Sequence, residues 1–201
     1  MEVGLRLGTD LCHSHSCPCG AAVDARGLYG LSCKLATGRM PRHQALNDLI
    51  WRALSKAGIP STKEPSGLSR TDGKRPDGVT LIPWQRGKPL AWDVTVVHTL
   101  ADSYVGFTEL SPGNVAEMAA ERKSAKYTTL PDTIKFQPVA FETLGPINQT
   151  GVEFLAELGH RLEIMSHDTR ERSFLFQRLS ITVQRFNAVA FRGCFADERD
   201  I

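Results

Sequence analysis

The chain divides into stretches whose apolar residues recur every three or four positions and stretches that are apolar almost throughout. Residues 40–57 carry Leu46, Leu49, Ile50 and Leu54 at helical spacing, which predicts a helix with one buried stripe. Pro41 suits its first turn and Gly58 its C-terminal end. Residues 113–128 read as a second helix. Residues 150–166 read as a third, with Val152, Leu155, Ala156, Leu158 and Leu162 as its apolar set. A longer helix is expected over 170–192, carrying Phe174, Leu175, Leu179, Ile181, Val183, Phe186, Val189 and Ala190. The β-type runs are 79–82, 90–97 and 134–144, with a short edge strand over 59–65. Gly and Pro punctuate 83–89, so the first two runs form a hairpin. Residues 66–76 and 98–112 read as loops, and 1–34 as irregular. The order helix, strand, strand, strand, helix, strand, helix, helix predicts an α/β sandwich around a mixed sheet.

At 201 residues the chain is one domain with a small appendage, divided here into 1–36 and 37–201. That length buries a core without disulfides. The net charge of +2 excludes a polycation. Basic surface must be local, as at Lys74 and Arg75, Arg86 and Lys88, or Arg122, Lys123 and Lys126. The first residues lack the apolar core of a secretory leader, and no run reaches transmembrane length. An intracellular protein without a membrane association is expected.

Two acids stand out against this pattern. Asp77 opens the first hairpin strand, and Asp93 lies inside Leu-Ala-Trp-Asp-Val-Thr-Val-Val. A carboxylate in such a run is costly to desolvate unless something compensates it. Two on neighbouring strands repel, and a divalent cation offsets that repulsion. Mg²⁺ or Mn²⁺ takes few carboxylates plus water and phosphate oxygens, so a site for phosphodiester chemistry follows. In the competing reading Asp77 caps a turn and Asp93 pairs with a buried arginine. Glu64, thirteen positions before Asp77, is a third acid or a solvated edge residue. Lys123, Lys126 and Tyr127 share a helix stripe, from which an ammonium could steady phosphoryl charge. His43 and Asn47 also share a face and are read as polar surface, the alternative being that they face the metal site or a nucleic acid. Glu142 is read as structural, and Arg178 and Arg185 as exposed.

Four of the five cysteines fall between residues 12 and 33. In a reducing compartment such a cluster points to metal, and a zinc ion supplies stability that an apolar-poor loop lacks. Cys17, Cys19 and Cys33 are the principal ligands. The fourth is open between Cys12, His15 and His43, and Cys12 is carried with the other three.

Acids on consecutive strands of an α/β unit, Pro76-Asp77 and then Asp93-Val94-Thr95, resemble the core of the PD-(D/E)XK, or restriction-endonuclease-like, nucleases. The lysine usual two residues after the second acid is replaced here by Thr95. The sequence is more closely similar to the restriction-like endonuclease domain of site-specific non-LTR retrotransposons. That domain has a Cys/His cluster (here Cys17, Cys19, Cys33), an Arg/Lys-Pro-Asp motif (Arg75-Pro76-Asp77), a strand acid (Asp93) and a lysine-bearing helix ending in Lys-Tyr (Lys123, Lys126, Tyr127). The motif resemblance covers about residues 12–145. Members often carry His-Gly-Leu-Ser-Cys where Tyr29 here precedes Gly30-Leu31-Ser32-Cys33. Tyrosine is a poor zinc ligand, so Cys12 or His15 is expected to substitute, or the zinc site has decayed.

The resemblance implies a metal-dependent DNA endonuclease that nicks its target, leaving a 5′-phosphate and a 3′-hydroxyl that primes reverse transcription. Asp77 and Asp93, with Glu64, would hold Mg²⁺ or Mn²⁺, and Lys123 or Lys126 would replace the strand lysine. Lys74, Arg75, Arg86, Lys88 and Tyr127 would contact double-stranded DNA, or Tyr127 would pack or hydrogen-bond behind the catalytic lysine. Element RNA and a reverse-transcriptase domain are further expected partners, in the nucleus of a eukaryote or otherwise inside the cell. No polymerase site is present, so a fragment, truncated copy or standalone relative is expected. The alternative is a catalytically inactive, zinc-containing nucleic-acid-binding module on the same fold.

Overall fold

The apolar run Leu90–Val97 becomes an eight-residue strand, β5, with its first five residues buried. The structure is a computed structural model that describes residues 1–33, 35–70 and 72–196. The elements are, in order, α1 (Glu2–Leu7), β1 (His15–Ser16), β2 (Ala22–Val23), α2 (Arg39–Lys56), β3 (Ser61–Lys63), β4 (Gly78–Thr80), β5, α3 (Val105–Thr108), α4 (Asn114–Lys126), β6 (Lys135–Glu142), α5 (Gln149–Ser166) and α6 (Glu171–Arg192). Short 3₁₀ turns lie at Leu28–Leu31 and Ser66–Leu68.

The main sheet has the order β3-β4-β5-β6. Its first two pairings are antiparallel and β5–β6 is parallel, so the sheet is mixed. A parallel pair needs a crossover, and the segment carrying α3 and α4 supplies it. Strand alternation sends Trp92, Val94, Val139 and Phe141 into one core with Leu46, Ile50 and Leu54 of α2, Leu155 and Leu158 of α5, and Leu175 and Leu179 of α6. Asp93, Thr95 and Val97 alternate with that set. They lie on the side where α4 packs Ala116, Ala119 and Ala120 against Ala140 and Val97. The small alanines let α4 ride close over the sheet, which brings its polar residues within reach of β5.

The N-terminal segment is less irregular than its composition suggests. It holds α1 and a β1–β2 ribbon with His15 opposite Val23. Leu5, Cys17, Val23, Leu31 and Cys33 share a buried cluster with Ala190 and Cys194 at the end of α6. The loop expected over 98–112 contains α3. In α6 the buried residues are Leu175, Leu179, Val183, Asn187, Ala190 and Phe191, with Glu171. Ile181 faces outward, 65% exposed, because that helix carries apolar residues around much of its circumference. Among the described residues no helix is long and apolar enough to cross a membrane.

Candidate functional site

The register of β4 against β5 pairs Gly78 with Trp92 and Val79 with Ala91. Continued by one residue, it sets Asp77 opposite Asp93. Gly78 makes this possible: a Cβ there would lie 2.2 Å from the Trp92 ring. The Trp92 indole N–H donates to Asn47 Oδ1 at 2.8 Å, so the tryptophan is locked between the strand pair and α2.

Each acid is held from a different element. Asp77 Oδ2 accepts a hydrogen bond of 2.6 Å from the Val94 N–H. His43 Nε2 lies 3.0 Å from the same oxygen and 3.1 Å from the Val94 carbonyl. Both neighbours are acceptors, so Nε2 carries the proton. The hydrogen bond to Asp77 raises the affinity of His43 for a second proton, against the opposing effect of burial. Among the described residues, Asp77 Oδ1 has no hydrogen-bond partner. Asp93 is 3% exposed, and its Oδ1 accepts from Lys123 Nζ at 2.5 Å. Burial, then the Asp77 charge, pushes the Asp93 carboxyl above its ordinary range, although Lys123 and Tyr127 pull it back. Tyr127 is itself pushed well above its ordinary value, first by burial and then by the neighbouring Asp93 charge.

A cleft of about 420 Å³ opens over these groups, lined by Glu64, Lys74, Arg75, Asp77, Asp93, Lys123 and Tyr127. Seven residues expected from sequence to belong to one site therefore share one cleft. The others lie elsewhere. Lys126 is exposed and does not line the cleft, although it shares a helix stripe with Lys123. Arg86 and Lys88 sit at the hairpin tip, where Arg86 and Gly87 take positive φ and Gln85 bridges to Lys88. They line a separate pocket with Gln85 and Lys135. Glu64 points its carboxylate at Arg75, and its backbone N–H donates to the Asp77 carbonyl at 2.9 Å. Tyr127, expected either as a DNA contact or packed behind the lysine, is buried against Phe136 with ring centroids 4.6 Å apart. It stands behind Asp93 instead of projecting from the surface.

The reading of His43 and Asn47 as polar surface is overturned. Both lie on the buried side of α2, His43 against Asp77 and Asn47 against Trp92. The clue lay in the sequence: Asn47 sits between Leu46 and Ile50 on the apolar stripe. On the far side of Lys123 a second cavity of about 590 Å³ is lined by Arg39, Arg42, His43, Thr95 and Lys123, among others. Glu142 does have a structural role. Its Oε1 accepts from the Val115 and Ala116 N–H groups, each at 3.1 Å, and so caps the start of α4. Arg178 is held to Glu171 at 3.3 Å.

The thiols of Cys17, Cys19 and Cys33 lie within 4.8 Å of one another and could hold a metal ion. Burial raises the Cys17 thiol to about 11, whereas a hydrogen bond from Tyr29 holds Cys19 down to about 7. Cys12, expected as the fourth ligand, lies outside this group: its thiol donates to the Ala25 carbonyl at 3.4 Å. His15 is tied to the Cys194 carbonyl at 3.2 Å and stacked on Phe195. No protein-family model matches the chain, and no curated protein matches it.

Proposed function

We propose that this chain is a metal-dependent DNA endonuclease domain of a retroelement protein, with a restriction-endonuclease-like core and a structural zinc segment. The observation that carries the reading is the facing pair Asp77 and Asp93, with Lys123 delivered onto Asp93 from α4. A lysine from a neighbouring helix takes the place that Thr95 leaves empty. The donor set suits a hard cation: two facing carboxylates, one raised by burial and then by the other's charge, in a cleft also lined by Lys74 and Arg75.

Asp77 and Asp93 would hold Mg²⁺ or Mn²⁺, which supplies polarisation of a phosphoryl oxygen and an acidified water. His43 and the Val94 N–H fix the Asp77 carboxylate through one oxygen, Oδ2, leaving its other oxygen without a protein partner among the described residues. Lys123 places a positive charge beside Asp93, where it offsets charge developing on the phosphoryl oxygens. Tyr127 buttresses Asp93 from behind. Lys74 and Arg75 bind backbone phosphates, giving affinity that falls with salt and reads little sequence. The order of motifs favours a nick that leaves a 3′-hydroxyl for priming reverse transcription, with the location and partners that role entails.

One observation favours a second reading. Each acid already has a protein partner on one oxygen, Asp77 through His43 and Val94 and Asp93 through Lys123. Such an arrangement also suits a module that binds nucleic acid without cutting it. Nicking of supercoiled plasmid separates the two. The nuclease reading expects nicking in Mg²⁺ or Mn²⁺ that Asp77→Ala and Asp93→Ala abolish. Binding without nicking by folded, zinc-loaded wild type would leave the binding module.

A further inference from the structure

The three thiols need a fourth donor, and the side chain that meets them is neither Cys12 nor a histidine. Cys17 Sγ and Cys33 Sγ are 3.9 Å apart. Two sulfurs each about 2.3 Å from one tetrahedral zinc would be about 3.8 Å apart, so Cys17 and Cys33 already have the spacing of ligands. The Tyr29 hydroxyl lies 3.1 Å from Cys19 Sγ and interacts with Cys33 as well. Cys17 in turn interacts with both Cys19 and Cys33. The three thiols lie within 4.8 Å of one another, and the Tyr29 hydroxyl sits against this group at Cys19.

The backbone builds this placement. Cys17 and Cys19 lie in the tight connection between β1 and β2, closed by Cys17 N–H to the Ala21 carbonyl and Gly20 N–H to the Cys17 carbonyl. Tyr29 lies in the Leu28–Leu31 turn, and its carbonyl accepts from the Ser32 and Cys33 N–H groups at 3.0 and 2.9 Å. Tyr29 and Cys33, four residues apart, therefore face the same side. Gly30 presses that turn onto α6 and beyond: a Cβ there would meet Cys194 Sγ at 3.0 Å and Phe191 Cα at 3.2 Å. The rivals are committed elsewhere, Cys12 to Ala25, His15 to Cys194 and Phe195, and His43 to Asp77.

We propose that Tyr29 is the fourth ligand of a Cys17–Cys19–Cys33 zinc site and closes it through its phenolic oxygen. The inference rests on the reading of the three thiols as a zinc site. Metal binding releases the phenol proton to solvent together with the thiol protons. A phenol binds zinc less readily than an imidazole, so the ion is held more loosely than in a site closed by histidine.

The test uses the full chain, reduced and stripped of metal, with Tyr29→Phe, Tyr29→His, Cys12→Ser and His15→Ala beside wild type. Circular dichroism monitors the fold. Zn²⁺ affinity is read by competition with a chromophoric chelator, ligand identity by the near-ultraviolet band of ionised tyrosine. The thiolate-to-metal absorption of the Co²⁺ form assigns the ion to the sulfurs and not to the carboxylate cleft. Wild type is expected to bind one Zn²⁺ with appearance of the tyrosinate band. Tyr29→Phe should lose the band and more than about 100-fold in affinity, beyond the roughly 10–100-fold that loss of a hydrogen-bonding neighbour costs. Tyr29→His should bind at least as tightly as wild type, and Cys12→Ser and His15→Ala unchanged. A smaller loss in Tyr29→Phe, or a comparable loss in Cys12→Ser or His15→Ala, overturns the role of Tyr29 and leaves the three-thiol site standing. Absence of Zn²⁺ binding by wild type overturns both. A chain that binds Zn²⁺ through Tyr29 but does not nick DNA loses the nuclease reading alone.

Discussion

Lys123 Nζ lies 2.5 Å from Asp93 Oδ1 across the gap between α4 and β5. The lysine side chain is 26% exposed and the acid 4%, so the pair stands at the boundary between core and cleft. Removing Lys123 leaves a buried carboxylate without its counter-charge, a change that costs about 3 kcal/mol when the pair is buried, less where water reaches the lysine. Lys123→Ala should therefore lose about 2 kcal/mol of stability and, if the cleft cuts DNA, about 10²-fold or more in turnover. Lys126→Ala, from an exposed position outside the cleft, should change stability by no more than about 0.5 kcal/mol and leave nicking within a few-fold. Urea melts with plasmid nicking on both variants check the pair. Equal losses in the two variants would remove Lys123 from its special position.

His43 fixes Asp77 without entering the metal's expected coordination. Its N–H and that of Val94 converge on one carboxylate oxygen. His43→Ala frees the carboxylate to rotate, so the metal requirement should change more than DNA affinity does. Loss of such an orienting partner costs roughly 10–100-fold in metal affinity. The half-saturating Mg²⁺ for nicking should rise by that order, while duplex binding in Ca²⁺ stays within a few-fold. A variant whose DNA affinity collapses with unchanged Mg²⁺ dependence would place His43 at the DNA surface instead.

Continuous apolar patterning made much of the fold legible. Leu90–Val97 could be delimited from sequence because a buried strand reads as a nearly continuous apolar run, here broken only by Asp93 and Thr95. The facing of Asp77 and Asp93 followed from hairpin punctuation. What escaped was anything set by a partner from a distant part of the chain. His43 and Asn47 read as surface because polar residues on a helix do so until the packing against them is known. Lys123 and Lys126 share a stripe at three-residue spacing, and only the seat of α4 on its alanine face separates them. Arg86 and Lys88 looked close to the site in sequence, yet the hairpin carries them to a separate pocket. The helices α1 and α3, six and four residues long, are too short to show a period.

Glu142 links the far end of β6 to the placement of Lys123. Its carboxylate accepts two N–H groups at the start of α4 and is 3% exposed. Glu142→Ala would leave both donors buried and unpaired, at about 1–3 kcal/mol for such groups. It would also remove a negative charge from the helix's positive end. A loss of about 2–3 kcal/mol is expected, with Glu142→Gln recovering part of it, since Gln keeps an acceptor oxygen. Because α4 carries Lys123, the Ala variant should also lower any nicking activity. Chemical denaturation at neutral pH measures the difference, and an unchanged midpoint in Glu142→Ala would show that solvent satisfies α4 without the cap.

His98 should make the fold sensitive to mild acid. It is 7% exposed and its Nδ1 lies 3.1 Å from Thr143 Oγ1. Burial, followed by the nearby Arg42 charge, lowers its pKa from 6.5 to about 4. Arg42 is itself buried, lowered to about 10, and hydrogen-bonded to Asn187 at 2.6 Å, so a second positive charge on His98 would be poorly tolerated. The folded pKa is depressed, so the unfolded chain binds the proton first as pH falls. The stabilising contribution of neutral His98 is therefore complete above about pH 6.5 and is lost progressively between 6.5 and 4. The shift corresponds to roughly 3 kcal/mol at most. Urea midpoints of wild type should fall over that window more steeply than those of His98→Gln, which cannot ionise. Parallel pH profiles for the two proteins would mean that His98 is protonated in the fold without penalty.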